Sequence, residues 1–239
     1  MGCIRPGIKS RPAGRAEKED VMSGRKKVAD DTPWVSLAMQ NPGLKLSLGP
    51  DLDVWDEDRI IEAKRRNERG EPLSAEWFPE ELAAWKEASR LRPVTLGDIF
   101  FAYGYWVVSE EAASVMRRFD LGNGALYPVT LYQKDRRTPV DHQYYCINFG
   151  NVKKALLPEQ SQGLRPSRTV KGLYYPKGRV RNRDMAVSPA ALEGPDIWID
   201  PQLDMAFFVS GALGRALKAA GANRNFSLLK CRLVTGEED

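Results

Sequence analysis

Two segments of this chain repeat one order of residue types, and any fold must accommodate both. Residues 105–132 read YWVVSEEAASVMRRFDLGNGALYPVTLY and residues 205–233 read MAFFVSGALGRALKAAGANRNFSLLKCRL. Each predicts strand, serine cap, helix, Gly/Asn turn, strand. In the first, Trp106, Val107 and Val108 form a β-prone run, Ser109 can accept from the orphan N–H groups of the next turn, and Glu110 and Glu111 sit where the helix dipole favours anions. In the second, Phe207, Phe208 and Val209 lead into Ser210, and Gly221 with Asn223 matches Gly122 with Asn123. The repeat is architecture and presents no catalytic group with an evident partner.

The rest of the chain is read around it. Residues 1–31 are rich in Arg, Lys, Gly and Pro and poor in large apolar side chains, so they cannot offset the entropy of ordering and are expected to be a disordered arm, with Met22 a second possible start. Arg5, Lys9, Arg11, Arg15, Lys18 and Arg25–Lys27 outnumber Glu17, Glu19 and Asp20 there, so the formal charge of +4 comes from the arm and the body is nearly neutral. Trp34 to Leu37 predict a short strand, followed by a loop marked by Asn41, Pro42, Gly43, Gly49 and Pro50. Asp56, Glu57 and Asp58 open a helix containing Ile60, Ile61 and Ala63, with Lys64, Arg65 and Arg66 toward its end and Gly70 closing it. Residues 74–90 predict another helix, with Pro79 in the first turn and Leu82, Trp85 and Ser89 at helical spacing. Pro93 should stop it, and Gly97 with Asp98 should turn the chain into the first repeat copy. Residues 126–132 and 143–149 predict an antiparallel pair, with Tyr144, Cys146 and Asn148 on one face and Tyr145, Ile147 and Phe149 on the other. Short strands at 185–187 and 197–199 lead into the second copy.

Candidate chemistry is sparse. Cys3, Cys146 and Cys231 are odd in number and lack metal-ligand spacing, which fits a reducing compartment, read here as the cytoplasm. No apolar run reaches the roughly 18 residues of a membrane span, and the start has no apolar signal-peptide core. Met1, Gly2 and Cys3 resemble an acylation signal, but Pro6 stands where that motif wants Ser or Thr. His142 and Cys146 invite a Cys/His nucleophile, yet four residues along one strand face separate them by roughly 13 Å, beyond hydrogen-bond reach. Asp196, Asp200 and Asp204 are evenly spaced without a His or Gly-rich loop, and Asp200 before Pro201 reads as a turn former. The acidic clusters upstream read as solvated helix starts. In residues 165–183, Arg165, Arg168, Lys171, Lys177, Arg179, Arg181 and Arg183 are interleaved with Tyr174 and Tyr175, a pattern that suits either phosphate and base contacts or a solvated two-stranded ribbon.

The run from 184 to 234, with MAV, DIWID, FFVSGALGRALKAAG and NFSLLKCRL, resembles a bacterial immunity-protein family of polymorphic toxin systems, long catalogued as a domain of unknown function. Pro93 and Asp98 before the first copy, WVVSEEAASVM, YPVTLY, and YYCIN with Asn148, similar to the family's YxxxN element, extend the likeness over about residues 90–235. One departure is NVKKALLPEQSQG after Asn148, where relatives carry an aspartate-containing segment. The resemblance implies an antitoxin that binds a cognate toxin stoichiometrically and occludes it, with no enzymatic activity, no cofactor and no metal; it singles out no contact residue. The other reading is a nucleic-acid-binding accessory protein using residues 165–183. The expected fold is α+β: two related strand-helix-strand units with mixed or antiparallel sheets, an N-terminal helical region and the arm. The expected divisions are 1–31, 32–98 and 99–235, with repeat units at 99–160 and 184–235.

Overall fold

The computed structural model describes Met1, residues 31–85 and residues 96–235. The expected arm, Pro93 and the last part of the expected 74–90 helix lie outside the described residues. In chain order the first strands are β1 (Trp34–Ser36), β2 (Lys45–Leu46), β3 (Leu48–Gly49), β4 (Glu81–Ala84), β5 (Ile99–Ala102), β6 (Tyr105–Ser109), β7 (Ala125–Tyr132) and β8 (Tyr144–Asn148). The later ones are β9 (Leu164–Pro166), β10 (Tyr174–Pro176), β11 (Ala186–Val187), β12 (Ile197–Trp198), β13 (Phe207–Val209), β14 (Leu228–Lys230) and β15 (Arg232–Leu233). The helices are α1 (Glu57–Glu68), α2 (Glu110–Met116) and α3 (Gly211–Ala219). The fold is α+β with mixed and antiparallel sheets, as the sequence predicts.

α1 forms where the charge order places it. The Asp58 N–H donates to the Asp56 carboxylate at 2.7 Å, Glu57 and Asp58 occupy the first turn, and Arg65 and Arg66 the last. Ile60, Ala63 and Asn67 are its buried stripe, and Gly70 leaves it with φ 75°. The expected helix over 74–90 does not form in its described part, residues 74–85. The described part is a 3-10 turn (Ala75–Trp77) followed by β4, which runs parallel to β7 and antiparallel to β3. Leu82 and Ala84 are buried while Glu81 is exposed, so the true period is two; the Leu82–Trp85 spacing fitted a helix by coincidence. The open edge of β7 decided it, because its backbone groups need partners: Thr130 N–H donates to the Glu80 carbonyl at 2.8 Å.

The repeat extends to a four-stranded arrangement in each of two sheets. In the larger sheet the order is β2-β5-β6-β8-β7-β4-β3, and in the smaller β12-β13-β1-β14. Four adjacent strands of the larger sheet, β5-β6-β8-β7, correspond one for one to the smaller sheet, every pair antiparallel. Registers agree: Ile99 opposes Val108 as Ile197 opposes Val209, and Val107 opposes Cys146 as Phe208 opposes Val35. β1, from the start of the described chain, thus occupies the place in the second copy that β8 occupies in the first. Both serines form the same strand-to-helix corner. Ser109 (φ −68°, ψ 161°) accepts from the Ala112 N–H at 3.2 Å, and Ser210 (φ −60°, ψ 157°) from the Leu213 N–H at 3.1 Å. Replacing either by alanine should cost about 1 kcal/mol. Ser109→Ala should cost somewhat more in a urea melt, because its hydroxyl also lies 3.3 Å from the Asp98 carboxylate.

The copies clasp each other. Asp98 donates its N–H to the Arg224 carbonyl (3.0 Å) and accepts the Arg224 N–H on its carboxylate (2.6 Å), in the turn after α3. Asp196 does the same with Asp120, after α2, at 2.7 and 2.8 Å. Between the sheets lies one hydrophobic cluster, built from Trp106, Val108, Ile147 and Phe149 on one side and Trp34, Ile197, Phe207 and Val209 on the other, with α2 and α3 contributing Ala112, Met116, Leu213 and Leu217. Strand alternation turns Tyr105, Val107, Tyr144 and Cys146 to a second cluster, where they meet Ile60 of α1 and Leu82. The far face of the smaller sheet makes a third, with Val35, Trp198 and Phe208 against Leu156, Met185 and Leu203.

Candidate partner-binding surface

The residues singled out by sequence for catalysis are not brought together. Cys146 is fully buried in the second cluster, and burial pushes its thiol far above the usual range, so it is no thiolate. His142 is exposed on the loop before β8, with φ 79°, and borders a cavity of about 250 Å³ with Asp98, Ser109, Glu111 and Arg224. The three aspartates also part. Asp196 holds the Asp120 turn, and Asp204 is half-buried beside β10, its N–H donating to the Tyr174 carbonyl. Asp200 is buried and accepts the Ala155 and Leu156 N–H groups at 2.7 Å each, plus Gln202 at 3.0 Å. Its turn-forming reading holds, and burial raises its pKa against the pull of those three donors. Among the described residues no group of three or more His, Cys, Asp or Glu is arranged to hold a metal.

Asn148, the asparagine of the YYCIN strand, is a splice. Its side-chain amide donates to the Asn67 side chain and the Glu71 carbonyl, both at 3.0 Å, and its oxygen accepts the Leu73 N–H at 3.1 Å. Asn67 answers by donating to the Ile147 carbonyl (2.8 Å) and accepting the Phe149 N–H (2.9 Å). Asn151 likewise donates to the Leu121, Phe149 and Ile197 carbonyls. Sequence reading missed Asn67 and Asn151; the signal for Asn67 was a polar residue on the apolar stripe of α1.

β9 pairs antiparallel with β10, so a two-stranded ribbon spans residues 164–176 at the start of the basic stretch. Lys171, Lys177, Arg179, Arg181 and Arg183 are exposed. The Tyr174 hydroxyl donates to Glu159 at 2.8 Å, and the Arg165 guanidinium covers the Tyr175 ring at 5.2 Å.

A different face gathers the residue types that anchor protein interfaces. At its centre Asp51 nucleates a turn: the Asp53 N–H donates to its carboxylate (3.1 Å), while the Val54 and Trp55 N–H groups donate to its carbonyl (3.0 and 2.8 Å). That turn throws Leu52 (47% exposed) and Val54 (78% exposed) into solvent, and Ile61 (40% exposed) follows on α1. Beside them Arg59 stands over the rings of Trp55 (5.1 Å) and Trp77 (5.5 Å), and Arg66 over Trp77 (4.9 Å). Arg59 donates to the Glu76 carbonyl, and Arg66 pairs with Glu71 at 2.8 Å, so the ladder is held from both sides. Next to it is a groove of about 550 Å³, lined by Trp55, Phe78, Tyr127 and Pro128 and by the carboxyl-bearing Asp51, Glu76, Glu80 and Glu81. Phe78 stacks on Tyr127 at 4.8 Å, and the Tyr127 hydroxyl donates to the Leu73 carbonyl at 2.6 Å, which fixes the wall. Hydrogen bonding by Arg136, 2.6 Å away, and by the Asp53 N–H holds the Asp51 carboxyl below its ordinary range. What this face offers is rigid aromatic and guanidinium area, the composition of binding hot spots.

No helix of the described residues is long and apolar enough to cross a membrane. No curated protein matches the chain. A family model described as Immunity protein family (Imm11) matches residues 39–232. That match begins well upstream of residue 90, where the likeness in sequence first became legible, and takes in β2, β3, β4 and α1. These are the strands that extend the larger sheet and the helix that covers it. With most of its length matched, the chain belongs to the Imm11 immunity protein family.

Proposed function

We propose that this protein neutralises a cognate toxin by stoichiometric binding, covering the toxin's active site or substrate groove inside the producing cell and using no chemistry of its own. Family membership supports the immunity role. The observation that carries the binding mechanism is the ladder of Trp55, Arg59, Trp77 and Arg66 beside the exposed Leu52 and Val54, a preorganised contact area on a rigid sheet and helix. Occlusion needs such a surface and nothing more. The test is co-expression with the toxin domain encoded beside it: cells should survive, and the two chains should purify as a one-to-one complex. Survival with no complex, or with catalytic turnover of the toxin, would remove the proposal.

The same reading fixes what two substitutions should do. His142→Ala and Cys146→Ala should leave protection intact in the co-expression assay, since neither side chain would transfer a proton or attack a substrate. Cys146→Ala should still cost about 1 kcal/mol of stability, because it removes a buried sulfur from a close-packed cluster. Loss of protection by a folded double variant would contradict binding as the whole mechanism.

A further inference from the structure

The face around the groove has an imbalance of charge that the proposed function does not use. Its cations are engaged: Arg59 with the Glu76 carbonyl and two indoles, Arg66 with Glu71, and Arg136 with Asp51. Its anions are less so. Among the described residues, the carboxylates of Asp53, Glu80 and Glu81 enter no ion pair, and all three residues are exposed. Glu80 and Glu81 line the groove itself with Asp51 and Glu76, and its apolar wall includes Trp55, Phe78, Tyr127 and Pro128. Val54 projects at the rim, next to Asp53. An apolar surface rimmed by polar groups marks an interaction site, and the sign of the rim says what can approach it. Carboxylates repel phosphates, which disfavours nucleic acid and anionic lipid on this face. They attract lysine and arginine.

We propose that the groove and the Leu52–Val54 knob are the toxin-docking face, and that the segment they receive is cationic and amphipathic. Its apolar side chains would meet Val54, Trp55 and the Tyr127 ring that Phe78 backs, while its Lys or Arg groups would meet Glu80, Glu81 and Asp53. This rests on the proposed function and adds to it the place of contact and the chemistry of the partner. The apolar part supplies affinity, and the exposed carboxylates supply association rate and choice of partner.

The test uses the full chain and two labelled peptides, one alternating lysine with leucine and one alternating glutamate with leucine, followed by fluorescence anisotropy at low and high salt. The lysine peptide should bind and the glutamate peptide should not. Glu80→Lys with Glu81→Lys should weaken binding about tenfold at low salt. Val54→Ser should weaken it several-fold at both salt levels. Glu193→Lys, at an exposed residue just after the 3-10 turn of Pro189–Leu192, should change nothing. Equal losses from Glu193→Lys, or none from the groove pair at an unchanged thermal midpoint, would overturn the proposal. A wild-type chain that self-associates through this face in sedimentation, and monomerises in Val54→Ser, would also overturn it by assigning the groove to a second copy. With the toxin domain itself, the groove pair should slow association about tenfold. If the wild type forms the one-to-one complex and the charge-reversed chain associates equally fast, the docking face is wrong and the proposed function stands. If the wild type forms no complex, the proposed function fails, and the peptide result judges the groove alone.

Discussion

Asn148→Ala is expected to destabilise the fold by about 3 kcal/mol, read as a fall in thermal midpoint of roughly 6–12 °C. The magnitude comes from what the truncation strands. Two groups lose their partner at once, the Leu73 N–H and the Glu71 carbonyl, and the Asn67 side-chain oxygen keeps only the Phe149 N–H. Asn148 is 1% exposed and Asn67 2%, so water cannot take the lost places without opening the packing. A buried polar group left unpaired costs about 1–3 kcal/mol, more than the bond contributes when made. Asn67→Ala should be of similar size, and the double variant should cost less than the sum of the singles, because the two side chains share one network. A loss under about 1 kcal/mol for Asn148→Ala would show that the splice is solvated or redundant. The asparagine of the YxxxN-like element is therefore read as structural: it ties the end of α1 to β8.

Gly150→Ala should cost at least as much, about 3 kcal/mol, and a paired control separates its two causes. Gly150 has φ 63°, and a Cβ there would lie 2.3 Å from the Asn123 carbonyl oxygen and 2.5 Å from the Gly124 nitrogen. Those are backbone atoms of the turn between α2 and β7, so no side-chain rotation relieves the overlap. Gly221 has φ 68° with nothing within 4 Å of the added Cβ. Gly221→Ala should therefore show only the cost of the left-handed conformation, about 1 kcal/mol. Denaturant midpoints for the two variants give the difference directly. Equal losses would mean that the close approach at Gly150 contributes nothing.

What could be read from the chain was local. The Ser109 and Ser210 corners follow from one cap, one strand and one helix apiece, and their signals lie within a few residues of the structure they make. α1 is equally self-contained, with its Asp56 cap and its charge order, and β7 and β8 announce their pairing by alternation. The family likeness was legible for the same reason, since it rests on these runs.

Tertiary structure decided the rest, because the competing choices differ only in distant contacts. The segment after Ser74 fits a helix by spacing, and the unfilled edge of β7 makes part of it a strand. The Trp34–Ser36 strand is visible in sequence, but nothing near it says that it will lie between β13 and β14 and stand in for a second β8. The aspartates 98 and 196 look like ordinary turn residues until the clasp with Arg224 and Asp120 is seen. The proposed docking face assembles the same way: Trp55 and Arg59 come from one stretch, Trp77, Glu80 and Glu81 from another, and Tyr127 from the repeat. Each of these residues, taken alone, reads as an exposed aromatic or a solvated charge. Only the packing of α1 and β4 onto one sheet brings them within contact distance, and periodicity along the chain carries no information about which distant segments will share a face.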